Sequence, residues 1–423
     1  MNGYKYAENI RVAHKDDLVV LASEESKSWV KISKECFKIL NIVIEMNLIH
    51  SEILKIFELE EDRIYFDNLI QKLYDIDIIT DKNYIKAKNI DNIYLVLTDR
   101  CNLSCTHCCA NASGLNSNDE LSTKEIYEII DKVLKLDPEI ITISGGEPLV
   151  IDDIWSIMEH LKSKFQGKVN LMTNGLLIDE SNIQDIIKYF NNISISLDGI
   201  DEESCKIIRG NNVFKNIMKK IELLKANNFN NISTSAVLPN NEKIYQEFEK
   251  LNNDLGTEAM IRHFSYKGRA GFNYKKIEKQ MNEYLKSRNM EENYILDWKK
   301  YIPDDKKYVM PGSCEGCEST LSIASNGDIY PCNLLMDSSY SIGNILEIDN
   351  IETYINNISK DSNEGYKTFI DLKQCNNEVC SNCSVKAFCW SCPAECDDLL
   401  SRKDIFTERC EQTKERLTSI VWG

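Results

Sequence analysis

Cys101, Cys105 and Cys108 stand in one short run, Cys-x3-Cys-x2-Cys, directly after the apolar stretch Ile93-Tyr94-Leu95-Val96-Leu97, which reads as a strand. A chain that gathers three thiolates on one turn must fold so that the turn stays rigid around whatever they hold. Three is one fewer than the four ligands of a closed zinc site or an ordinary electron-transfer cluster. The set suits a [4Fe–4S] cube with one iron left open. Zinc is the alternative, with Cys109 as a fourth ligand, but the adjacent Cys108 and Cys109 cannot easily face one small ion.

The other cysteines extend this reading. The chain has 423 residues and 16 cysteines, at Cys36, four between 101 and 109, Cys205, and ten after residue 313. Clustering of this kind points to metal chemistry, not to disulfides spread over a fold. The formal net charge is −17 and no long basic run occurs, which argues against nucleic acid and anionic membrane surfaces as partners. The start, Met1-Asn2-Gly3-Tyr4-Lys5, has no apolar signal core. No apolar stretch reaches the roughly 18 residues of a membrane span. A cytoplasmic protein is expected.

Hydrophobic 43% of residues is enough for more than one core. Three domains are expected: 1–88, 89–290 and 291–423. In the first, Asn9–Ala13 and Leu18–Ala22 read as strands around Asp16-Asp17, and Trp29-Val30-Lys31-Ile32 as a third. Ser33 suits the cap of a helix with Phe37, Leu40, Val43 and Ile44 on its apolar stripe. Two further helical patterns surround Ile53–Phe57 and Tyr65–Leu73. In the second domain, strands over 92–98, 139–144, 168–173, 192–198, 231–238 and 258–265 alternate with helical patterns such as Thr123–Leu136 and Ile151–Phe165. That alternation implies an α/β fold with a parallel sheet. A polar, partly helical connection from about 271 to 312 leads into the cysteine-rich end.

The strand Ile141-Thr142-Ile143-Ser144 runs into Gly145-Gly146-Glu147-Pro148, where glycines let backbone approach a ligand and Glu147 can accept hydrogen bonds from an ammonium group. With the cysteine run before it, this stretch resembles the radical S-adenosylmethionine (SAM) superfamily. The resemblance implies a partial (β/α)6 TIM-like barrel, with chemistry at the C-terminal ends of the strands. It implies that Cys101, Cys105 and Cys108 hold a [4Fe–4S] cluster whose open iron takes the amino and carboxylate groups of SAM. The cluster would split SAM into a 5′-deoxyadenosyl radical that removes hydrogen from a substrate carbon. His107, where the family usually has an aromatic residue, would lie near the adenine. Gly145, Gly146 and Glu147 would meet the SAM amino group, Ser196 in Ile193–Gly199 its ribose, and Arg209 its carboxylate. The bland alternative for Ser196, Asp198 and Arg209 is a strand end and a solvated arginine.

Cys314-x2-Cys317-x9-Gly327-x4-Cys332 and Cys380-x2-Cys383-x5-Cys389-x2-Cys392, with Cys410 beyond, resemble the SPASM domain, which carries two auxiliary [4Fe–4S] clusters. Ile323–Asn333 has a hairpin pattern with Asn326-Gly327 as its turn. The family's ligation would assign Cys314, Cys317, Cys332 and Cys392 to auxiliary cluster I, and Cys380, Cys383, Cys389 and Cys410 to auxiliary cluster II. Cys375 and Cys396 are left over and could replace an assigned ligand; zinc ribbons are the alternative for the region. Cys36, Cys109 and Cys205 read as packed thiols.

The order of strands and helices in residues 1–88 resembles the PqqD-like, winged-helix-like RiPP recognition element, which grips the leader of a precursor peptide as an added strand. A helical cap on the catalytic domain is the alternative. Together the three parts resemble radical SAM/SPASM maturases of ribosomally made peptides, and of these the sactipeptide and ranthipeptide enzymes form thioethers from cysteine sulfur to carbon. The resemblance implies a precursor-peptide substrate and an electron donor such as flavodoxin or ferredoxin. Carbon–carbon cross-linking, epimerisation and formylglycine formation share the machinery. Formylglycine maturases place an aspartate after the cysteine of Tyr330-Pro331-Cys332; here Asn333 stands there and cannot act as a carboxylate base. A non-catalytic electron-transfer or peptide-binding protein would need neither an open iron nor the Gly-Gly-Glu-Pro stretch.

Overall fold

The computed structural model describes residues 3–84, 86, 88–112, 114, 121–262, 264–290, 309–389, 392–400 and 402–423. The chain divides into two compact units. The first takes 1–87, 298–315 and 367–423; the second takes 88–297 and 316–366.

The first unit begins with β1 (Tyr4–Tyr6), β2 (Ile10–Lys15), β3 (Leu18–Ser23) and β4 (Trp29–Ser33), then α1 (Lys34–Glu45), α2 (His50–Ile53), α3 (Glu60–Asp75) and β5 (Ile79–Asp81). Ser33 caps α1 as its sequence position suggests, accepting from the Cys36 amide at 3.1 Å. β2, β3 and β4 form an antiparallel sheet with β3 in the middle. The sequence reading did not anticipate that β1 and β5 pair with each other across the whole module.

The second unit is built on β6 (Asn92–Val96), α4 (Thr123–Val133), β7 (Ile140–Ser144), α5 (Ile154–Lys164), β8 (Lys168–Thr173), α6 (Ile183–Tyr189), β9 (Asn192–Ser196), α7 (Glu202–Arg209), α8 (Val213–Ala226), β10 (Ile232–Val237), α9 (Glu242–Leu255), β11 (Glu258–Arg262) and α10 (Gly268–Ser287). Each of the expected strands is present, β8 with the expected bounds and the others trimmed at their ends by one to three residues. β6 to β11 lie in sequence order and pair in parallel, so all their C-terminal ends share one edge. This is the α/β parallel sheet that the alternation implies, in the partial-barrel arrangement expected from the resemblance. Alternate residues face opposite sides: Ile93, Leu95, Ile141, Ile143, Val169 and Leu171 are buried, as a face packed on helices requires.

The expected hairpin forms between β12 (Thr320–Ile323) and β13 (Ile329–Tyr330), and Gly327 takes the positive φ its turn requires. β12 also pairs in parallel with β6, Thr320 beside Asn92 and Ile323 beside Leu95, and so adds the hairpin to the barrel sheet. This pairing divides the stretch 291–423 between the two units. α11 (Ile351–Asn357) and α12 (Glu364–Leu372) follow, and α13 (Pro393–Leu400) and α14 (Lys403–Trp422) complete the first unit.

There, β3 explains its own composition. Val19–Ala22 is apolar without alternation because both faces of the strand are covered there, while Leu18 at its start is exposed. Val19, Leu21 and Ile32 pack with Leu40, Val43, Phe66 and Leu73 of the helices. Ala13, Val20 and Ala22 pack with Val385, Phe388, Leu417 and Val421 from the C-terminal part of the chain. Among the described residues, no helix is long and apolar enough to cross a membrane.

Candidate functional site

The Cys101–Cys108 loop leaves the C-terminal end of β6. Its backbone is tied down from several sides. Thr106 donates its amide to the Ile208 carbonyl at 2.9 Å and its hydroxyl to the Ile207 carbonyl at 3.1 Å. From α10, the Arg269 amide donates to the Cys108 carbonyl at 2.9 Å and its Nε to the Cys105 carbonyl at 3.0 Å, while Asn273 Nδ2 donates to the Thr106 carbonyl at 3.0 Å. The sulfurs receive donors too. The Leu103 amide lies 3.4 Å and Asn174 Nδ2 3.8 Å from Cys101 Sγ; Arg209 Nη1 lies 3.8 Å from Cys105 Sγ. Burial pushes the Cys101 and Cys105 thiols up, and these donors work in the opposite direction. Donors aimed at sulfur favour the thiolate that an iron site needs, so the loop fits a cluster. Among the described residues, no set of three His, Cys, Asp or Glu side chains could hold a single metal ion. Thiolates on three different irons have no need to converge on one point.

The Gly-Gly-Glu-Pro stretch packs against this loop. The Gly146 amide donates to the Thr98 carbonyl at 2.7 Å and the Glu147 amide to the Arg100 carbonyl at 2.9 Å. A Cβ on Gly145 would lie 2.6 Å from the Thr98 carbonyl oxygen, and one on Gly146 would collide with that of Arg100. The glycines are thus required by the close approach of two backbone segments of the protein.

Glu147 is 0% exposed. Its carboxylate accepts from Thr173 Oγ1 at 2.8 and 2.9 Å, from the Asn174 amide at 2.7 Å and from the Leu149 amide at 3.1 Å. Burial raises its pKa against the pull of those donors. The side chain braces the end of β7 to the end of β8. Direct contact with an ammonium group, expected from the sequence, would require this enclosure to open.

A second brace lies beyond β9. Asp198, in the left-handed region at φ 52°, accepts from Arg209 Nε at 2.7 Å and Nη2 at 2.6 Å, and pairs with His107 Nε2 at 3.0 Å. Its other oxygen accepts from the Val237 amide at 2.8 Å. Burial alone would raise the Asp198 carboxyl; the Arg209 guanidinium, with the hydrogen bonds from His107 and the Val237 amide, reverses this and holds it well below the usual carboxylate range. Arg209 is likewise disfavoured by burial and held charged by Asp198. Its side chain is only 8% exposed, so the solvated-arginine alternative does not apply. Arg209 reaches Cys105 and Asp198 and so stands beside the cysteine loop. Ser196 stands half-exposed at the C-terminal end of β9, abreast of Ser235 on β10. Among the described residues, the buried His107 Nδ1 has no hydrogen-bond partner.

The structure brings Cys101, Cys105, Cys108, His107, Gly145, Gly146, Glu147 and Arg209 into one connected network. Of its supports, the sequence offers Thr173-Asn174-Gly175 as a strand-end turn with ligand-side backbone and Asp198 only as part of a strand end; the structure makes Thr173 and Asn174 partners of Glu147 and Cys101, and Arg269 and Asn273 are the residues that sequence reading missed. One signal was present: Arg269 and Asn273 share a helix face at i, i+4.

In the first unit, Cys380, Cys383, Cys389 and Cys410 are electrostatic neighbours, and burial pushes the Cys389 thiol up to about 12. Cys396 joins them, and its hydrogen bond with Cys380 pulls the latter thiol down and its own up. Cys314 and Cys392 belong to the first unit, Cys317 and Cys332 to the second. Cys205 donates to the Leu197 carbonyl at 3.1 Å and Cys36 contacts Tyr65, as packed thiols do.

Residues 95–255 match the radical SAM superfamily, and residues 314–384 match SPASM, an iron-sulfur cluster-binding domain. The mycofactocin maturase MftC of Mycobacterium tuberculosis is 26% identical over 268 residues, covering 59% of this chain and 66% of its own length. The chain thus spans slightly less than two thirds of that relative. Among solved structures, Streptococcus suis SuiB bound to the precursor peptide SuiA aligns with a TM-score of 0.53 and 15% identity, over 96% of this chain and 98% of that one. Native anSMEcpe with bound AdoMet aligns with a TM-score of 0.52 and 19% identity, over 78% and 99%. The chain carries a radical SAM domain followed by a SPASM domain, with S-adenosylmethionine and [4Fe–4S] clusters as its cofactors.

Proposed function

We propose that the protein is a radical SAM maturase of a ribosomally synthesised precursor peptide. The observation that carries this reading is one chain holding a braced three-cysteine loop on a partial barrel, a SPASM cysteine set, and an antiparallel sheet whose outer strand β4 pairs on one side only among the described residues. The names of MftC, a maturase, and SuiB, solved with its precursor peptide, agree with it.

Cys101, Cys105 and Cys108 hold the SAM cluster, which when loaded supplies the electron that splits SAM into methionine and a 5′-deoxyadenosyl radical. Asn174 and Arg209 orient Cys101 and Cys105, and Asp198 fixes Arg209 and His107. Gly145 and Gly146 set the backbone edge that faces the SAM methionine, with Glu147 positioning that edge from behind. His107 borders the adenine and Ser196 the ribose. In the SPASM region, Cys314, Cys317, Cys332 and Cys392 hold one auxiliary cluster and Cys380, Cys383, Cys389 and Cys410 the other. Residues 1–88 act as a PqqD-like module that takes the peptide leader as a strand against β4. A flavodoxin or ferredoxin delivers the electron, in the cytoplasm. The favoured product is a thioether from a precursor cysteine to a carbon, with one hydrogen pair lost per bond.

The test is anaerobic mass spectrometry of the reconstituted enzyme with SAM, reductant and the short peptide encoded beside its gene. Deoxyadenosine, peptide lighter by hydrogen pairs, and cysteines closed to alkylation are expected. Hydrogen loss with every cysteine still alkylated would replace the thioether with a carbon–carbon cross-link. No deoxyadenosine would end the radical reading.

A further inference from the structure

The β2–β3–β4 sheet has two covered faces, and only one of them is covered by its own helices. On the other, Trp29 meets Phe388 edge to face, ring centroids 5.0 Å apart at 71°. Its Nε1 donates to the Val309 carbonyl at 3.1 Å, and Lys31 Nζ to the Val421 carbonyl at 3.2 Å. Arg11, 1% exposed, is bound to Glu24 at 2.7 Å and donates from Nη1 to Gln374 Oε1 at 3.5 Å. These contacts join strands near the start of the chain to segments more than 270 residues later.

The later segments hold the second cysteine set. Val385, Ala387 and Phe388, which cover Val20 and Ala22, lie between Cys383 and Cys389, and those two cysteines pack against the same apolar cluster as Trp29. Residues 384–389 form turns, with no strand or helix to fix their shape. Such a segment takes a defined shape when its ends are clipped by a metal centre, and the free energy of metal binding is then folding free energy.

We infer that auxiliary cluster II is the structural support of the peptide-recognition sheet. With Cys383 and Cys389 held, residues 385–388 press Phe388 on Trp29 and close the rear face of β3. Loss of the cluster frees the plug, and the sheet that presents β4 to an extended leader loosens. Cluster occupancy and leader binding are thereby coupled, and linkage makes the coupling reciprocal. This rests on residues 1–88 being the leader-binding module; the support of the sheet does not.

Hydrogen exchange on the full-length, anaerobically reconstituted protein separates the two. In Cys383→Ala/Cys410→Ala, with the iron of one cluster gone by metal analysis, amides of residues 10–33 are expected to exchange at least about tenfold faster. Those of 92–96 and 140–144 keep their protection. Unchanged exchange at 10–33 with that iron lost overturns the inference. Phe388→Ala, which removes the plug and leaves every cysteine in place, is expected to weaken binding of a labelled synthetic leader from the adjacent short open reading frame by about tenfold. SAM cleavage without peptide stays at its wild-type rate. Undiminished leader binding by Phe388→Ala also overturns it. Failure of the wild-type protein to bind that leader sinks the recognition reading alone, and the exchange result still decides whether the cluster supports the sheet.

Discussion

Asp198 shows how much of the site depends on a residue that contacts no expected ligand. One of its carboxylate oxygens collects Arg209 and His107, the other the end of β10, and Arg209 in turn reaches Cys105. Removing a partner from a buried pair leaves the remaining charge without compensation, at a cost of about 3 kcal/mol or more. Asp198→Asn is therefore expected to lower the melting temperature and to slow deoxyadenosine formation, since Arg209 loses its anchor. A variant with wild-type melting and wild-type SAM cleavage would show that Asp198 is dispensable. Gly146→Ala is expected to be more local. Its new methyl meets the Arg100 carbonyl, so the cysteine loop must shift. Iron analysis should find the SAM cluster lost while the auxiliary iron stays. Both residues stand inside short motifs, yet only the glycine was legible. Its neighbours Gly145 and Glu147 announce it, whereas the role of Asp198 depends on His107 and Arg209 arriving from other elements.

At the scale of elements, the cysteine loop has little regular structure of its own and borrows rigidity from helices. α10 contributes three hydrogen bonds to its carbonyls through Arg269 and Asn273, and the last turn of α7 accepts from Thr106. Net contributions near 1 kcal/mol per hydrogen bond make the double change Arg269→Ala/Asn273→Ala worth about 2 kcal/mol of loop order. The expected outcome is a SAM cluster that assembles but bleaches faster in air, followed by its absorbance; equal bleaching rates would argue that α10 only packs. The strands of the barrel were readable because parallel strands buried on one side alternate strongly, as in Asn92–Val96 and Asn192–Ser196. The hairpin at Gly327 was readable from its turn chemistry. The pairing of β12 with β6 was not, since a hairpin pattern names only the antiparallel neighbour and is silent about the strand on its other side. The β1–β5 ribbon was hidden for the same reason: three-residue strands at opposite ends of a module carry too little pattern to find each other.

At the scale of the whole molecule, the chain leaves the first unit and returns to it twice, so that unit is assembled from residues 1–87, 298–315 and 367–423. The sequence showed a module that looked complete by residue 88, with three strands, three helices and a capped α1. What it could not show is that β3 is buried on both faces, because an apolar run such as Val19-Val20-Leu21 fits a core strand of any origin. The consequence is directional. During synthesis the helices can cover Val19 and Leu21 as soon as α3 is made, but Ala13, Val20, Ala22 and Trp29 wait for residues around 385 and 420. Full burial of Val20 and most of Trp29 accounts for roughly 3–5 kcal/mol at the usual value per apolar area. That is a large share of the stability of so small a module. Residues 1–88 made alone should therefore expose this face, bind a hydrophobic dye and melt without a sharp transition. The full-length protein should do neither. A sharply melting fragment with well-dispersed amide resonances would mean that the helical face suffices, and that the later segments merely rest on a finished sheet.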